Sequence, residues 1–344
     1  MKLDGLTAIR FFAALWVFAF HFNSRLPLGA PAPLERVLSN GALAMPIFFM
    51  LSGLVLHHRY HDKYQSFGVF LRARVARIYP AYILGITLSL PFLFSLPKVT
   101  AGTVFFLIPV DIFLMQAWYP NLWSFWHHAG TWSISVELYL YASFPLLLSI
   151  KKLPTKSILF MSFACVVLAS SYVPSFKLGA SAPMPFAVYY SIPMYSLPVF
   201  ILGAMLSELQ RRGFKGLLIA PLLFFTVLIF FGTFNTNYAG LNFVTLPLIA
   251  LTLLFACNQT QDLGIFRYTI NRFTLYLGDI SYAFFVYQIP LLLLLDHYIA
   301  LARTLPLVVT GCGMLAINLI LAAISHRWIE PWGSRIIFRL WKIQ

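Results

Sequence analysis

Charged residues are scarce in this sequence, because only 10% of its 344 residues are Asp, Glu, Lys or Arg, whereas 60% are hydrophobic. Soluble domains carry about 25% charged residues, so an ordinary soluble fold is excluded. No polar segment is long enough to form a separate soluble domain, and apolar runs recur from end to end. The composition predicts one transmembrane domain over residues 1–344, an all-α polytopic helical bundle.

Cysteine is also rare, and its three copies, Cys165, Cys257 and Cys312, lie inside apolar runs. No CxxC pair and no zinc-ligand spacing occurs, so we predict buried thiols, no disulfide framework and no metal site. The histidines at 57, 58 and 61 lack carboxylates or thiolates at ligand spacing. We therefore predict that they are solvated residues of a basic loop.

Acidic residues number 10 against 24 Lys and Arg, which gives a formal net charge of +14. The basic residues fall in short loops between apolar runs, as membrane orientation requires. They form no basic stripe interleaved with exposed aromatic residues, so we predict no nucleic-acid partner.

Apolar length predicts ten membrane spans and one shorter apolar piece, 103–118, which contains Pro109 and Asp111. The first span lacks a small-residue cleavage site and carries a cation, so we expect it to be retained rather than removed as a signal peptide. The predicted spans are 6–26, 41–58, 79–97, 131–150, 157–173, 187–206, 216–232, 239–257, 275–297 and 305–328.

The basic clusters set the predicted topology, because Lys and Arg concentrate in cytoplasmic loops. The chain must then cross an even number of times between Arg77 and Lys151, so 103–118 is predicted to be re-entrant or interfacial, with both termini cytoplasmic. No repeat and no inverted pair of broken helices is visible, which weakens a transporter interpretation. The clusters are Arg59 to Arg77, Lys151 to Lys156, Arg211 to Lys215, Arg267 with Arg272, and Arg327 to Lys342.

The first span, AIRFFAALWVFAFHF, contains Arg10 and His21 in an otherwise apolar run. Their separation of eleven residues is about 16 Å of helix and about 20° beyond three turns, so they share one face. Burying both in lipid would cost several kcal/mol, so the face should look into protein or a wet cavity. Alternatively, Arg10 extends to the interface and His21 is structural.

Three arginines, Arg72, Arg74 and Arg77, precede a span that Pro80 is expected to begin. Arg74 and Arg77 are neighbours on one helical face, and guanidinium groups bind phosphate bidentately. Membrane orientation alone would also explain them.

Glu137 is the only acidic residue of the predicted span 131–150. It lies about 9 Å from Thr131 along the helix, and His21 lies about 7.5 Å from the outer end of its own span. A histidine beside a buried carboxylate is an oriented general base for a hydroxyl group. Alternatively, Glu137 pairs structurally with a buried arginine. Arginines at the cytoplasmic side of the membrane, with this pair in the outer half of the bilayer, would suit a phosphate-bearing donor that has a long arm.

Six motifs resemble, in order, those of the membrane acyltransferase 3 family of integral-membrane O-acyltransferases. The late motif has Gln288 where many members have histidine, which puts an ionisable role there in doubt. The motifs are RFFAALWVFAFH (10–21), FFMLSGLVL (48–56), RVARIYP (74–80), TWSISVELYLY (131–141), GDISYAFFVYQIPL (278–291) and HRWIEPW (326–332).

This resemblance implies transfer of an acyl group, usually acetyl from acetyl-CoA, to a hydroxyl of a sugar-containing acceptor. It implies His21 as the catalytic base and Glu137 as its partner. Acetyl-CoA would be a co-substrate, and no cofactor would be permanently bound. Residues of the donor path would be Arg10, Arg72, Arg74 and Arg77, and residues that contact the acceptor or support the site would be Ser52, Trp132, Ser133, Tyr282 and Gln288.

The sequence thus predicts an O-acetyltransferase of the bacterial inner membrane, with an acyl-CoA donor, a carbohydrate or glycolipid acceptor such as a surface polysaccharide, and the lipid bilayer as partners. A non-catalytic transporter or flippase is the main alternative. A non-catalytic assembly subunit is the third hypothesis. For two site residues a structural role is favoured: Ser52 with Gly53 in close helix approach, and Trp132 as an interfacial anchor.

Overall fold

The structure, a computed structural model, describes residues 3–93, 100–120, 128–171, 190–231, 242–258 and 270–341. Over these ranges the chain forms helices and no strand, which confirms the all-α prediction. A helix closes its backbone hydrogen bonds within one segment, as a lipid environment requires. The α-helices of these ranges are α1 (Asp4–Asn23), α2 (Ala32–Ser39), α3 (Ala44–Tyr60), α4 (Phe67–Leu93), α5 (Ala101–Ile112), α6 (His128–Ser143), α7 (Thr155–Ser171), α8 (Pro193–Arg211), α9 (Ala220–Phe231), α10 (Asn242–Cys257), α11 (Arg272–His297), α12 (Ile299–Ala302), α13 (Leu307–Ile324) and α14 (Glu330–Leu340).

Two compact units make up the chain. Unit 1 comprises Met1–Tyr64, Ser143–Tyr189 and Met194–Asp279, and unit 2 comprises Gln65–Ala142, Tyr190–Pro193 and Ile280–Gln344. The prediction of one transmembrane domain over the whole chain stays a prediction.

Within the described part of the chain, six helices are long and apolar enough to cross a membrane. They match six predicted spans, whereas three others fall on the shorter apolar helices α7, α9 and α10. The span predicted at 187–206 falls on α8, which has 19 residues. The number of ten spans and the cytoplasmic location of both termini therefore stay predictions. Some predicted span ends and two basic residues lie outside the described residues: 94–97, 172–173, 187–189, 232, 239–241, Arg267 and Lys342. The six are Asp4–Asn23, Gly41–Tyr60, Phe67–Phe92, Gly130–Lys152, Arg272–His297 and Leu307–Leu340.

The arginine-bearing helix α4 begins earlier than predicted. Ser66 accepts a hydrogen bond on Oγ from the N–H of Val69, at 3.4 Å, and its carbonyl accepts one from Phe70. This satisfies N–H groups that a helix start leaves unpaired. Pro80 lies inside α4 rather than at its start, so the prediction that it begins the span is wrong. Arg72, Arg74 and Arg77 therefore lie within the helix rather than ahead of it, and Arg74 and Arg77 are helical neighbours as predicted.

The span predicted at 131–150 matches the apolar helical stretch Gly130–Lys152 but changes its helix type, whereas the predicted end of the last span is wrong. The span 131–150 is an α-helix only to Ser143, and the chain continues as a 3-10 helix, Phe144–Lys152. Pro145 occupies the start of that segment, and its missing N–H ends the α-helical ladder. The span predicted to end at 328 remains helical to Leu340, through a π-helical turn at Ser325–Ile329 and then α14.

The segment 103–118 contains α5, whose 12 residues measure about 18 Å, well short of a hydrocarbon core of about 30 Å. The chain then turns at Leu114, which has a φ of 52°. Side chains of α4 and α6 satisfy the turn's carbonyls: Tyr82 donates to Asp111 at 3.0 Å, Tyr79 to Ile112 at 2.6 Å and Ser135 to Leu114 at 2.5 Å. Such satisfaction is the condition for irregular backbone at membrane depth, so the re-entrant prediction fits, though it stays a prediction.

In unit 1, α3 and α8 cross in backbone contact at two glycines. A Cβ on Gly53 would collide with the carbonyl oxygen of Phe200, and one on Gly203 with that of Met50. The crossing confirms that Gly53 allows close helix approach.

We expect Gly203→Ala to lower the free energy of unfolding by about 1–3 kcal/mol, because the added methyl forces the two backbones apart. The measurement is the melting temperature of the purified protein, followed by fluorescence-detected size exclusion. Gly313→Ala on α13 is the matched control, since its Cβ meets no atom within 4 Å. Equal melting temperatures for the two variants would contradict the backbone contact.

Large apolar side chains cover the outer faces of the helices, among them Phe105 at 82% exposure and Val308 at 74%. Such faces would aggregate in water, but they suit lipid. Cys165 and Cys257 are buried as predicted, whereas Cys312 is exposed. The prediction of a buried thiol is wrong for Cys312 because α13 turns much of its apolar surface outward.

Candidate active site

Arg10 and His21 both lie on α1, which is continuous between them. The helix geometry therefore places their side chains on one face, as the spacing predicts. Both residues are partly exposed.

The last turn of α1 holds the backbone of His21 in place. Its carbonyl accepts a hydrogen bond from Ser24 Oγ at 2.8 Å and another from Arg25 Nη1 at 3.1 Å. The imidazole ring lies 5.0 Å from the ring of Phe20, centroid to centroid. Two residues further along, Asn23 donates to Glu35 of α2 at 2.7 Å, which fixes the end of the helix within unit 1.

In unit 2, Glu137 projects from α6 and its carboxylate accepts a hydrogen bond from the hydroxyl of Tyr141, one turn further along. Glu137 lies about 9 Å along the helix from Thr131, as predicted, and about 13.5 Å from His128, where α6 begins. Tyr141 is buried and meets the ring of Phe70 edge-on at 6.4 Å. The carboxylate is thus held by a neighbour on its own helix.

The three predicted donor arginines lie on one helix, α4, and each has a described neighbour. The guanidinium of Arg74 lies 6.0 Å from the ring of Phe70. Arg77 Nη1 donates to Glu330 Oε2 at 2.8 Å, and Arg72 Nη1 donates to the carbonyl of Trp341 at 2.8 Å. Two of the three are therefore held by the C-terminal helix α14 and the residue that follows it.

Tyr282 on α11 connects these groups. Its hydroxyl donates to the carbonyl of Ile78 on α4 at 2.9 Å. Tyr141, which donates to Glu137, and Arg74 both lie against the ring of Phe70. Unit 2 alone thus gathers Glu137 with basic residues, which keeps open the alternative that Glu137 has an arginine as its structural neighbour.

Sequence reasoning missed Tyr141 and Glu330 as members of this cluster. Tyr141 carried a usable signal, since it lies four residues after Glu137 on one helical face. Glu330 carried a weaker one: it is an acidic residue in a chain with only 10 Asp and Glu, and it directly follows an apolar span. Nothing local could have paired it with Arg77, 253 positions earlier.

The remaining predicted site residues are structural in their described contacts. Trp132 is buried and packs on the ring of Tyr190 at 4.5 Å, which does not fit an anchor at the lipid surface. Ser133 donates to the carbonyl of Gly130 at 3.3 Å. Gln288 is buried and donates to the carbonyl of Phe285 at 2.9 Å. Ser52 is partly exposed on α3, beside the glycine crossing.

The histidine cluster at 57–61 corrects another prediction. His57 and His58 lie on α3, and His57 is fully buried with Nδ1 3.2 Å from the hydroxyl oxygen of Ser207. His61 Nε2 lies 3.3 Å from Glu208 Oε2. The prediction of solvated loop residues is wrong for His57, because it and Ser207 are each one turn beyond the crossing glycines and its side chain is fully buried.

The site residues divide between the two units. Arg10, His21 and Ser52 belong to unit 1, whereas the Glu137 cluster and its arginines belong to unit 2. The pairing of His21 with Glu137 stays a prediction.

One family model and one known protein similar to this chain are named as acyltransferases. A family model described as an acyltransferase domain, Acyl_transf_3, matches residues 3–325. The chain is 26% identical to acyltransferase MdmB of Streptomyces mycarofaciens in an alignment 371 positions long, which covers 98% of this chain and 93% of that protein. It is 38% identical over 90 residues to protein 2 in the picA locus of Rhizobium radiobacter, which cover 25% of this chain and 41% of that protein. No solved structure matches.

The family match takes in α1 with Arg10 and His21, the arginines of α4, and Glu137 with Tyr141, and it ends before Glu330. Together with the long apolar helices, it shows a membrane protein that acts with an acyl donor and an acyl acceptor. The chain therefore belongs to the acyltransferase 3 family of membrane acyltransferases.

Proposed function

We propose that this protein is an O-acetyltransferase that moves an acetyl group from acetyl-CoA to a hydroxyl of a sugar-containing acceptor. One observation carries the proposal: in a member of this family, Arg10 and His21 share one face of a helix of membrane length. A cation and a titratable ring cost several kcal/mol at membrane depth, so such a face most often serves a site.

The donor enters this scheme from the cytoplasmic side. The phosphates of acetyl-CoA bind Arg72, Arg74 and Arg77, because guanidinium groups match phosphate oxygens bidentately. The pantetheine arm then runs beside the face of α1, where Arg10 and His21 are about 16 Å apart. The thioester thereby reaches the imidazole.

The chemical step uses His21 as the general base. Its neutral imidazole takes the proton of the acceptor hydroxyl while the hydroxyl oxygen attacks the thioester carbonyl. The tetrahedral intermediate collapses, the carbon–sulfur bond breaks, and the CoA thiolate leaves with the proton from the imidazolium. Glu137 orients the imidazole and stabilises its charged form, as the third member of a triad does.

A second route passes the acetyl group through a covalent enzyme intermediate. Rapid-quench labelling with radioactive acetyl-CoA separates the two routes when acceptor is omitted. Label on the protein indicates the covalent route, and its absence indicates direct transfer.

The acceptor in this proposal is a cell-surface or exopolysaccharide, or a glycolipid precursor of one, and the protein is a multi-pass component of the inner membrane. No permanently bound cofactor takes part, since acetyl-CoA is consumed. The acceptor is identified by mass spectrometry of the host's glycans with and without the gene. In the strain without the gene, the modified sugar is lighter by about 42 Da for each missing acetyl group.

The purified protein in lipid nanodiscs should release CoA thiol from acetyl-CoA when acceptor glycan is added, in proportion to ester formed. The release is followed with a thiol reagent, and protein-free nanodiscs are the control. A transporter or flippase releases no thiol, so binding of acceptor without any thiol release would overturn the proposal.

A further inference from the structure

We infer that Glu330 is a positioning residue for the acyl-CoA donor, which holds the guanidinium of Arg77 in the orientation that receives a phosphate group. The inference rests on the proposed function. It adds α14, near the end of the chain, to the donor-binding part of unit 2.

The ion pair between Arg77 and Glu330 is asymmetric in its exposure. The Glu330 side chain is 8% exposed, whereas that of Arg77 is 40% exposed. A buried carboxylate that accepts a charge-assisted hydrogen bond at 2.8 Å has a fixed position, because it cannot exchange its partner for water. The guanidinium is thus anchored from the protein interior while part of it still reaches the surface.

The π-helical turn before α14 sets the place of this carboxylate. Ser325–Ile329 is π-helical, and Glu330 follows it directly. His326 Nδ1 lies 3.7 Å from Glu330 Oε2, the same oxygen that Arg77 contacts. Isolated π-turns occur frequently at functional sites, because they reorient the residues around them.

The same C-terminal segment also holds a second donor arginine. Arg72 donates to the carbonyl of Trp341 and its guanidinium lies 5.1 Å from the ring of Phe338. The helices α4 and α14 pack closely near Arg77, since a Cβ on Gly333 would lie 2.7 Å from Pro80 Cβ. Direct contact therefore sets the distance between α4 and α14. The same contact fixes the distance from α14 to both arginines of α4.

Fixing the orientation of the Arg77 guanidinium favours donor binding, because an arginine side chain is long and flexible. Binding an unrestrained arginine to phosphate loses side-chain entropy, and a partner that already fixes the side chain removes part of this loss. A guanidinium has five N–H donors in a fixed fork, so a carboxylate at Nη1 and a phosphate can share it. Loss of the carboxylate should weaken donor binding and leave the chemical step alone.

The test is the kinetics of Glu330→Gln in nanodiscs, below its melting temperature. We expect the KM for acetyl-CoA to rise about tenfold, with kcat changed by less than about twofold. Arg335→Ala is the matched control on α14, since Arg335 is exposed and its Nε donates to the carbonyl of Pro331 on the same helix. We expect its KM to stay at the wild-type value.

The charge-swapped protein, Arg77→Glu with Glu330→Arg, separates positioning from a structural ion pair. Positioning predicts that the swap recovers the melting temperature lost in Arg77→Glu but leaves the KM for acetyl-CoA high, because the guanidinium has moved to α14. If Glu330→Gln lowers only the melting temperature, or if the swap restores the KM, the inference is wrong.

Equilibrium binding of CoA keeps this inference separate from the proposed function. Wild-type protein that binds CoA, with Glu330→Gln binding equally well, overturns the role of Glu330 alone. Wild-type protein that binds no CoA overturns the proposed function together with the inference.

Discussion

The His21→Ala variant should lose acetyl transfer by about 10²- to 10⁴-fold, the usual contribution of a general base. In the proposed mechanism the variant has no imidazole to take the proton of the acceptor hydroxyl, whereas the proposed donor arginines are unchanged. We therefore expect kcat to fall with little change in the KM for acetyl-CoA, measured as thiol release in nanodiscs and as acetylated glycan in cells.

The matched control for this variant is His297→Ala. His297 ends α11, is exposed, and contacts only neighbouring rings in its described contacts, those of Phe92 and Tyr298. It should retain wild-type activity. If His21→Ala acetylates at the wild-type level with unchanged protein abundance, His21 is not the base.

The second large effect is expected for Glu137, whose replacement by glutamine should lower kcat by about 10²-fold or more. The amide keeps the size of the side chain but cannot stabilise an imidazolium. If His21 and Glu137 act as a unit, the double variant His21→Ala with Glu137→Gln should be no slower than His21→Ala, because the loss has already occurred.

Tyr141→Phe is the control that separates this role from packing. It removes the hydrogen bond that Glu137 accepts within α6 but keeps the carboxylate. A loss of about tenfold or less is expected, since the carboxylate of Glu137 remains. If the two single losses of activity multiply in the double variant His21→Ala with Glu137→Gln, then Glu137 acts independently of His21, for example as a structural neighbour of the arginines.

The parts of the site that lie on one helix were predictable from the sequence. Arg10 and His21 are eleven positions apart on α1, and the fixed rotation per residue alone places them on one face. Glu137 and Tyr141 follow the same rule on α6. The parts that join different helices were not: Arg77 pairs with Glu330 across 253 positions, and no property of either neighbourhood encodes that distance.

The sequence-based predictions that were wrong concerned where helices begin and how they pack, not which segments are apolar. Pro80 was expected to begin a span, but the cap at Ser66 extends α4 by thirteen residues before it, from Phe67. His57 was expected in a solvated loop, but the glycine crossing of α3 and α8 encloses it. Hydropathy averages over many residues, so it cannot register a single cap or a single close crossing.

By itself, the sequence determined that this protein is helical, resides in a membrane and belongs to an acyltransferase family, because apolar content, helical rotation and short motifs are local properties that add up along the chain. Only the tertiary structure decided which side chains meet: Arg77 with Glu330, His57 with Ser207, and the tyrosines of α4 with the turn after α5. These contacts depend on which helices become neighbours in space, and helix packing is set by the shapes of whole faces rather than by any one segment.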